Sequence, residues 1–165
     1  MRKPDLLRAA LTTAFPELAR DPDRLSLWVD EGGQVRHHMG ANLNFAIEYR
    51  LSVEVRAWTH PSIMLFAVLI DWLRIQQPDL VTPGNSKTGI SFEADLISAE
   101  EADIGFDLML NEGVRVTKRP DGGFNMTYVV EPDPLMPDTA PILPSAPLLE
   151  SIWVDGVQLV PEDLP

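Results

Sequence analysis

The stretch from Asn44 to Trp58 limits the fold more than any other part of the chain. Phe45, Ile47, Tyr49, Leu51, Val53, Val55 and Ala57 occupy every odd position, while Asn44, Glu48, Arg50, Ser52, Glu54 and Arg56 take most of the even ones. Successive side chains of a β-strand point to opposite faces, so this alternation specifies one apolar and one charged face. At roughly 3.3 Å per residue the strand spans about 45 Å, whereas strands of about 5–6 residues are usual. It is the central strand of a sheet, or a bent strand serving two sheets.

The flanking sequence supplies partners for it. Pro4 suits the first position of a helix, and Leu6, Leu7, Ala10, Leu11 and Ala14 repeat at helical spacing until Pro16, which predicts a helix over about residues 4–15. Residues 17–24 read as a polar connection. Leu25, Leu27 and Val29 alternate as a strand, Asp30-Glu31-Gly32-Gly33 reads as a turn, and Gln34–His37 as a return strand. A second helix is expected over about residues 61–77, ended by Pro78. It is apolar on two stripes: Ile63, Phe66, Ala67, Ile70 and Leu73, then Leu65, Val68, Leu69, Trp72 and Ile75. Such a helix must be covered on most sides, either by the first helix or by a neighbouring subunit.

Further strands follow at Ile90–Leu96, Ile104–Leu110, Val114–Lys118 and Phe124–Val130, the last two around Pro120-Asp121-Gly122-Gly123. The pattern is α+β: a largely antiparallel or mixed β-sheet of about 5–6 strands with two main helices packed on one face. Residues 1–130 are read as that single domain. Residues 131–147 contain six prolines and no apolar period, which predicts an extended arm. Residues 148–165 carry Ile152-Trp153-Val154 and Val157-Gln158-Leu159-Val160 around Asp155-Gly156, a C-terminal β-hairpin signal. An isolated hairpin is marginal in water, so it docks on its own sheet or on a neighbour.

Charge narrows the partners. The net charge is −12, and residues 1–60 cancel with eight Lys/Arg against eight Asp/Glu. Residues 61–165 hold five against seventeen. Specific nucleic-acid binding is disfavoured, because it needs Lys/Arg to displace counterions. With no cysteine there is neither a disulfide nor a thiolate metal site. The longest apolar run, Ile63–Ile70, is far shorter than the roughly 20 residues of a membrane span. Nor does Met1-Arg2-Lys3-Pro4-Asp5 carry the apolar core of a signal peptide, so a soluble protein made in the cytoplasm is expected.

Catalytic patterns do not assemble. Gly84-Asn85-Ser86-Lys87-Thr88 lacks the second glycine of a phosphate loop and follows a helix instead of a strand. His37 and His38 point to opposite faces of an extended chain, and spacing implies no third ligand. Glu93 and Asp95 lie on the polar side of an alternating strand, where solvation is the default. No catalytic residue, metal or cofactor is expected.

Several stretches, in order over about residues 3–131, resemble the tail completion protein R family of contractile-tailed bacteriophages. They are Pro4 with Leu6-Leu7-Arg8-Ala9-Ala10-Leu11 and Pro16-Glu17-Leu18; Asn42-Leu43-Asn44-Phe45 and the long strand; Trp72-Leu73-Arg74 with Gln77-Pro78-Asp79-Leu80; Ile90–Asp95; and Asp103-Ile104-Gly105-Phe106-Asp107-Leu108. The resemblance implies a virion structural protein at the head-proximal end of the tail, assembled in the host cytoplasm. It would cap the tail tube and sheath and prepare the tail for head joining, in a phage or a tail-like bacteriocin. Expected partners are further copies in a hexameric ring, the tube and sheath proteins, and a head-completion or connector protein. The alternatives are a head-completion or connector protein itself, or a small protein-binding adaptor. A ring needs two unlike faces on each subunit. Leu65, Val68, Leu69 and Trp72 are candidates for one, and Ile152, Trp153, Val154 and Leu159 for the other. Glu100, Glu101, Asp103 and Asp107 are candidates for an acidic lumen that lets DNA pass without sticking.

Overall fold

The computed structural model describes residues 1–37, 40, 42–81, 90–131, 152–154 and 157–160. They belong to two units, Met1–Asp133 and Pro134–Pro165. The first is α+β. Its elements are α1 (Lys3–Ala14), α2 (Pro16–Arg20), a 3-10 turn (Pro22–Arg24), β1 (Leu25–His37), β2 (Phe45–Trp58), α3 (Ser62–Gln76), a second 3-10 turn (Pro78–Leu80), β3 (Ser91–Leu96), β4 (Ala102–Lys118) and β5 (Phe124–Tyr128). All five strands join one antiparallel sheet in the order β1-β2-β4-β3, with β5 also paired to β4.

Three prolines cut the helical segments to length. Phe15, Asp21 and Gln77 each precede a proline, and each leaves the helical region with ψ between 64° and 87°. The ring of the following proline disfavours the helical conformation there. The polar connection at residues 17–24 is thus a short helix and a 3-10 turn.

The long strand lies at the centre. Its odd residues Tyr49, Leu51, Val53 and Val55 share a face with Leu25, Leu27 and Val29 of β1 and Ile104, Phe106, Leu108 and Leu110 of β4. Leu7 and Leu11 of α1 and Leu65, Leu69 and Leu73 of α3 close over this face, making one core. Each fully buried leucine stabilises the fold by about 1.5–3 kcal/mol. Near its end β2 breaks register between Val55 and Trp58, and Ala57 takes a left-handed φ of 53°. Asp103 Oδ1 accepts the Ala57 N–H at 2.8 Å, and the Arg24 guanidinium donates to the carbonyls of Arg56 and Ala57. This bulge turns Trp58, an even position, into the core at 2% exposure.

Two strand boundaries differ from the sequence expectation. Gln34–His37 is not a return strand: β1 runs on beside β2 to the pair His37↔Phe45. Glu31 (φ 53°) and Gly32 (φ 78°) are absorbed as a two-residue bulge between the pairs Asp30↔Arg50 and Gly33↔Tyr49. Gly33 follows because a Cβ there would stand 2.9 Å from the Glu48 carbonyl oxygen. Residues 104–110 and 114–118 are likewise one strand, β4, because Glu112 occupies an inward position.

The second unit contains β6 (Ile152–Val154) antiparallel to β7 (Val157–Val160), with Ile152 opposite Val160. The Asp155-Gly156 connection, the proline-rich stretch from residue 132, the Gly84–Thr88 segment and His38 lie outside the described residues.

Candidate assembly surfaces

α3 separates its two apolar stripes differently from the sequence expectation. Leu65 and Leu69 are fully buried, Trp72 is buried and Val68 is half-buried. These four pack within the chain, because α1 lies beside α3 and the sheet beneath it. The first three are therefore closed to any neighbour. Ile63, Met64, Ala67, Ile70 and Ile75 are instead exposed. The apolar surface continues onto the sheet through Phe66, whose ring lies 4.8 Å from that of Phe92 on β3. Phe92 and Leu96 are 56% and 81% exposed, and all six residues of β3 face solvent. Among the described residues, no strand pairs with the outer edge of β3. Ile152, Trp153 and Val154 fall in β6 and Leu159 in β7, but their side chains lie outside what the structure describes.

The face of the sheet away from the helices is acidic. Asp103 and Asp107 project there from β4 and help to hold the fold: Asp103 binds the Ala57 N–H, and Asp107 Oδ1 accepts the Ser52 hydroxyl at 2.6 Å. They share a shallow depression with Trp28, Asp30, Glu54, Glu93 and Asp95. Glu54 is partly balanced by Arg56 at 2.7 Å. Glu100 and Glu101 are not part of this group. They sit at the β3–β4 turn, beside a separate depression lined by Thr59, His60 and Ser62. The Glu101 carbonyl accepts the N–H groups of Ile97 and Ser98, both at 3.0 Å. The four carboxylates thus divide into two pairs.

A buried polar cluster escaped the sequence reading. The Glu112 side chain, 3% exposed, accepts the Arg2 N–H at 2.7 Å and the Tyr49 hydroxyl at 2.5 Å. Burial, then the bond to Glu112 and its charge, push the Tyr49 phenol far above its ordinary pKa. Beside it, Lys3 Nζ donates to Gln77 Oε1 and pairs with Glu131 Oε1, each at 2.7 Å. Gln77 Oε1 also accepts the Asn111 N–H at 3.2 Å, and its amide donates to Asp79 Oδ1 at 2.6 Å. Buried Lys3 is ion-paired with Glu131 and buried Glu112 is held by two hydrogen bonds, as buried charges must be. The sequence signal was faint: a glutamate in phase with the inward residues of β4, and a tyrosine hydroxyl in the apolar row of β2, one inward pair away.

His60 Nε2 meets Glu17 Oε1 at 2.9 Å, and His37 Nδ1 meets the Asn44 carbonyl at 2.9 Å. Among the described residues, no three His, Asp or Glu side chains come together as a metal-binding set. The arrangement offers surfaces, one apolar and one acidic, around a pinned polar cluster.

A family model described as P2 phage tail completion protein R matches residues 1–132. Over 143 residues the chain is 37% identical to tail completion protein R of Escherichia phage P2, covering 86% of this chain and 91% of that protein. No solved structure matches it.

Proposed function

This chain belongs to the P2 phage tail completion protein R family, and on that premise we propose that it completes the tail of a contractile-tailed phage or tail-like bacteriocin. Its role is structural and non-enzymatic. It associates with the virion tail at the head-proximal end, caps the tube and sheath, and presents a surface for the head-completion or connector protein. The observation that carries this reading is the extent of the match, residues 1–132, which spans nearly all of the first unit.

The surfaces support assembly into a ring, a hexamer in the simplest case. A closed ring needs two unlike faces per subunit that meet head to tail. The exposed side of α3 with the β3 edge offers one such face. The acidic side of the sheet, with Asp103 and Asp107, is the candidate for the lumen, since like charge removes the counterion-release gain of DNA binding. Glu100 and Glu101 lie apart from that face.

Deletion of the gene in its phage tests the role. Electron microscopy is expected to find tails that are over-long or lack heads, restored by supplying the chain in trans. Infectious particles with tails of normal length in its absence would refute it.

A further inference from the structure

We infer that the end of β1 beyond its bulge, residues 33–37, in one copy pairs with the free edge of β3 in the next, so that the sheet continues from subunit to subunit. This names the contact behind the proposed ring and rests on that reading.

Strand direction permits it. β1 runs antiparallel to β2, β2 to β4 and β4 to β3, so the two edge strands run in opposite directions. A second copy set beside the first in the same orientation therefore brings its β1 antiparallel to β3, helix side to helix side. The two edges are unlike and stand at opposite ends of the strand order. The step thus repeats head to tail, and a rotation closes it.

Exposure singles out the two segments. All six residues of β3 are exposed, and so are all seven of β1 from Glu31 on. Among the described residues, neither outer edge is paired. Both segments nevertheless alternate as if one side were covered. β3 shows Phe92 and Leu96 on the helix side, and β1 shows Val35 there, 70% exposed. The bulge at Glu31 and Gly32 interrupts the ladder of β1, which leaves Gly33 to His37 as its regular end.

The side chains correspond in register. Setting Leu96 against Gly33 and Phe92 against His37 matches five residues with five. Ala94 then faces Val35 on the helix side, and Glu93 faces Arg36 on the other, an opposite-charge pair across the strands. Glu93 and Asp95 are exposed and have no ion-pair partner among the described residues. Arg36 pairs with Glu48 at 2.9 Å and still shows 60% of its side chain.

The same placement covers the open side of α3. Phe66 lies against Phe92, so that side stands beside the β3 edge. The sheet end that carries Val35 is thinly covered within one copy, where Phe45 and Ile47 are only half-buried. Pairing β1 with β3 brings this end of the neighbour next to Ile63 and Ile70, exposed on α3. A two-fold pair through β3 alone fits poorly, because it sets Glu93 and Asp95 of both copies against each other.

Cross-linking of the purified full-length chain tests the contact. The chain has no cysteine, so Val35→Cys with Ala94→Cys introduces the only two thiols. A short bismaleimide is expected to give a ladder of linked copies, and either single variant is expected to stay unlinked. Within one copy the two sites are held about 26 Å apart along β2, where their rows meet it at Ile47 and Val55. Light scattering, with circular dichroism to confirm folding, gives the second readout. Wild type is expected above dimer mass, in multiples of 18.4 kDa. Glu93→Arg or Arg36→Glu is expected to raise the concentration needed for assembly by about tenfold or more, and the two together in one chain are expected to restore it. No ladder, a link in either single variant, a wild type no larger than a dimer, or a combined charge variant that assembles no better than the single ones would each overturn the contact. Over-long tails in the deleted phage without a ladder would end the contact and leave the tail role standing. Normal tails with a ladder would do the reverse.

Discussion

Removing one hydroxyl tests the buried cluster directly. Tyr49→Phe keeps the ring that packs in the core and deletes only the donor 2.5 Å from Glu112 Oε1. No cavity opens, so the loss is that of a hydrogen bond to a charged group, about 2 kcal/mol within a usual range of about 1.5–3. For a chain of this length that lowers Tm by about 4–8 °C. The same bond has an alkaline signature. In the unfolded chain the phenol loses its proton above pH about 10. In the folded chain burial, and then Glu112, hold the proton on far beyond that. Above pH 10 the native state therefore binds more protons than the unfolded state, and stability falls by up to about 1.4 kcal/mol per pH unit. The Tyr49→Phe variant has no phenol to titrate and lacks this contribution. Urea titrations from pH 7 to 11 are expected to show wild type more stable by a constant margin up to about pH 9.5, with the margin shrinking above that. A margin under about 0.5 kcal/mol at neutral pH, or one that persists unchanged to pH 11, refutes the reasoning.

Leu69→Asp places an unpaired charge at a fully buried position and is expected to unfold the protein, a loss above about 4 kcal/mol; Ile63→Asp, at a position 74% exposed, is expected to melt within a few degrees of wild type. Lys3→Met removes the amine shared by Gln77 and Glu131, which should cost about 1–3 kcal/mol and speed amide exchange at residues 129–131. Ala57→Gly relieves a left-handed φ of 53° and is expected to raise stability by about 0.5–1 kcal/mol in the same melts. Truncation after Asp133 is expected to leave the oligomer unchanged by light scattering, because the exposed side of α3 and the β3 edge both lie within the first unit.

What the sequence made legible was periodic. β2 was expected from residue 44 to 58 and spans Phe45–Trp58, while α3 was expected over 61–77 and spans Ser62–Gln76. Alternation and helical spacing encode which side of an element is apolar, and prolines mark where it stops. What remained hidden depends on partners distant in sequence. Glu112 looks like an interruption until Arg2 and Tyr49 are brought to it from 110 and 63 residues away. Asp30–Gly33 reads as a hairpin turn because local sequence alone does not tell a turn from a bulge. On α3 the two stripes are equally apolar in sequence, and only the position of α1 decides that Leu69 is buried while Ile70 is exposed. The four acidic candidates could be named from sequence, but their division into Asp103 and Asp107 on one face and Glu100 and Glu101 at a turn follows from strand register.

The Lys3–Glu131 ion pair has a mechanical meaning. Its amine and carboxylate side chains are 7% and 27% exposed, and they join the first turn of the first helix to the point where the chain leaves the folded unit. A pull on the chain beyond Glu131 loads this pair first, together with the Val129 N–H bond to the Gly113 carbonyl at 2.8 Å. Behind the pair stands Gln77, which passes the load to the end of α3 and, through Asn111, to β4. The joint therefore works as a cable clamp: traction on the C-terminal segment is spread over a helix end and the longest strand before it can peel β5 from the sheet.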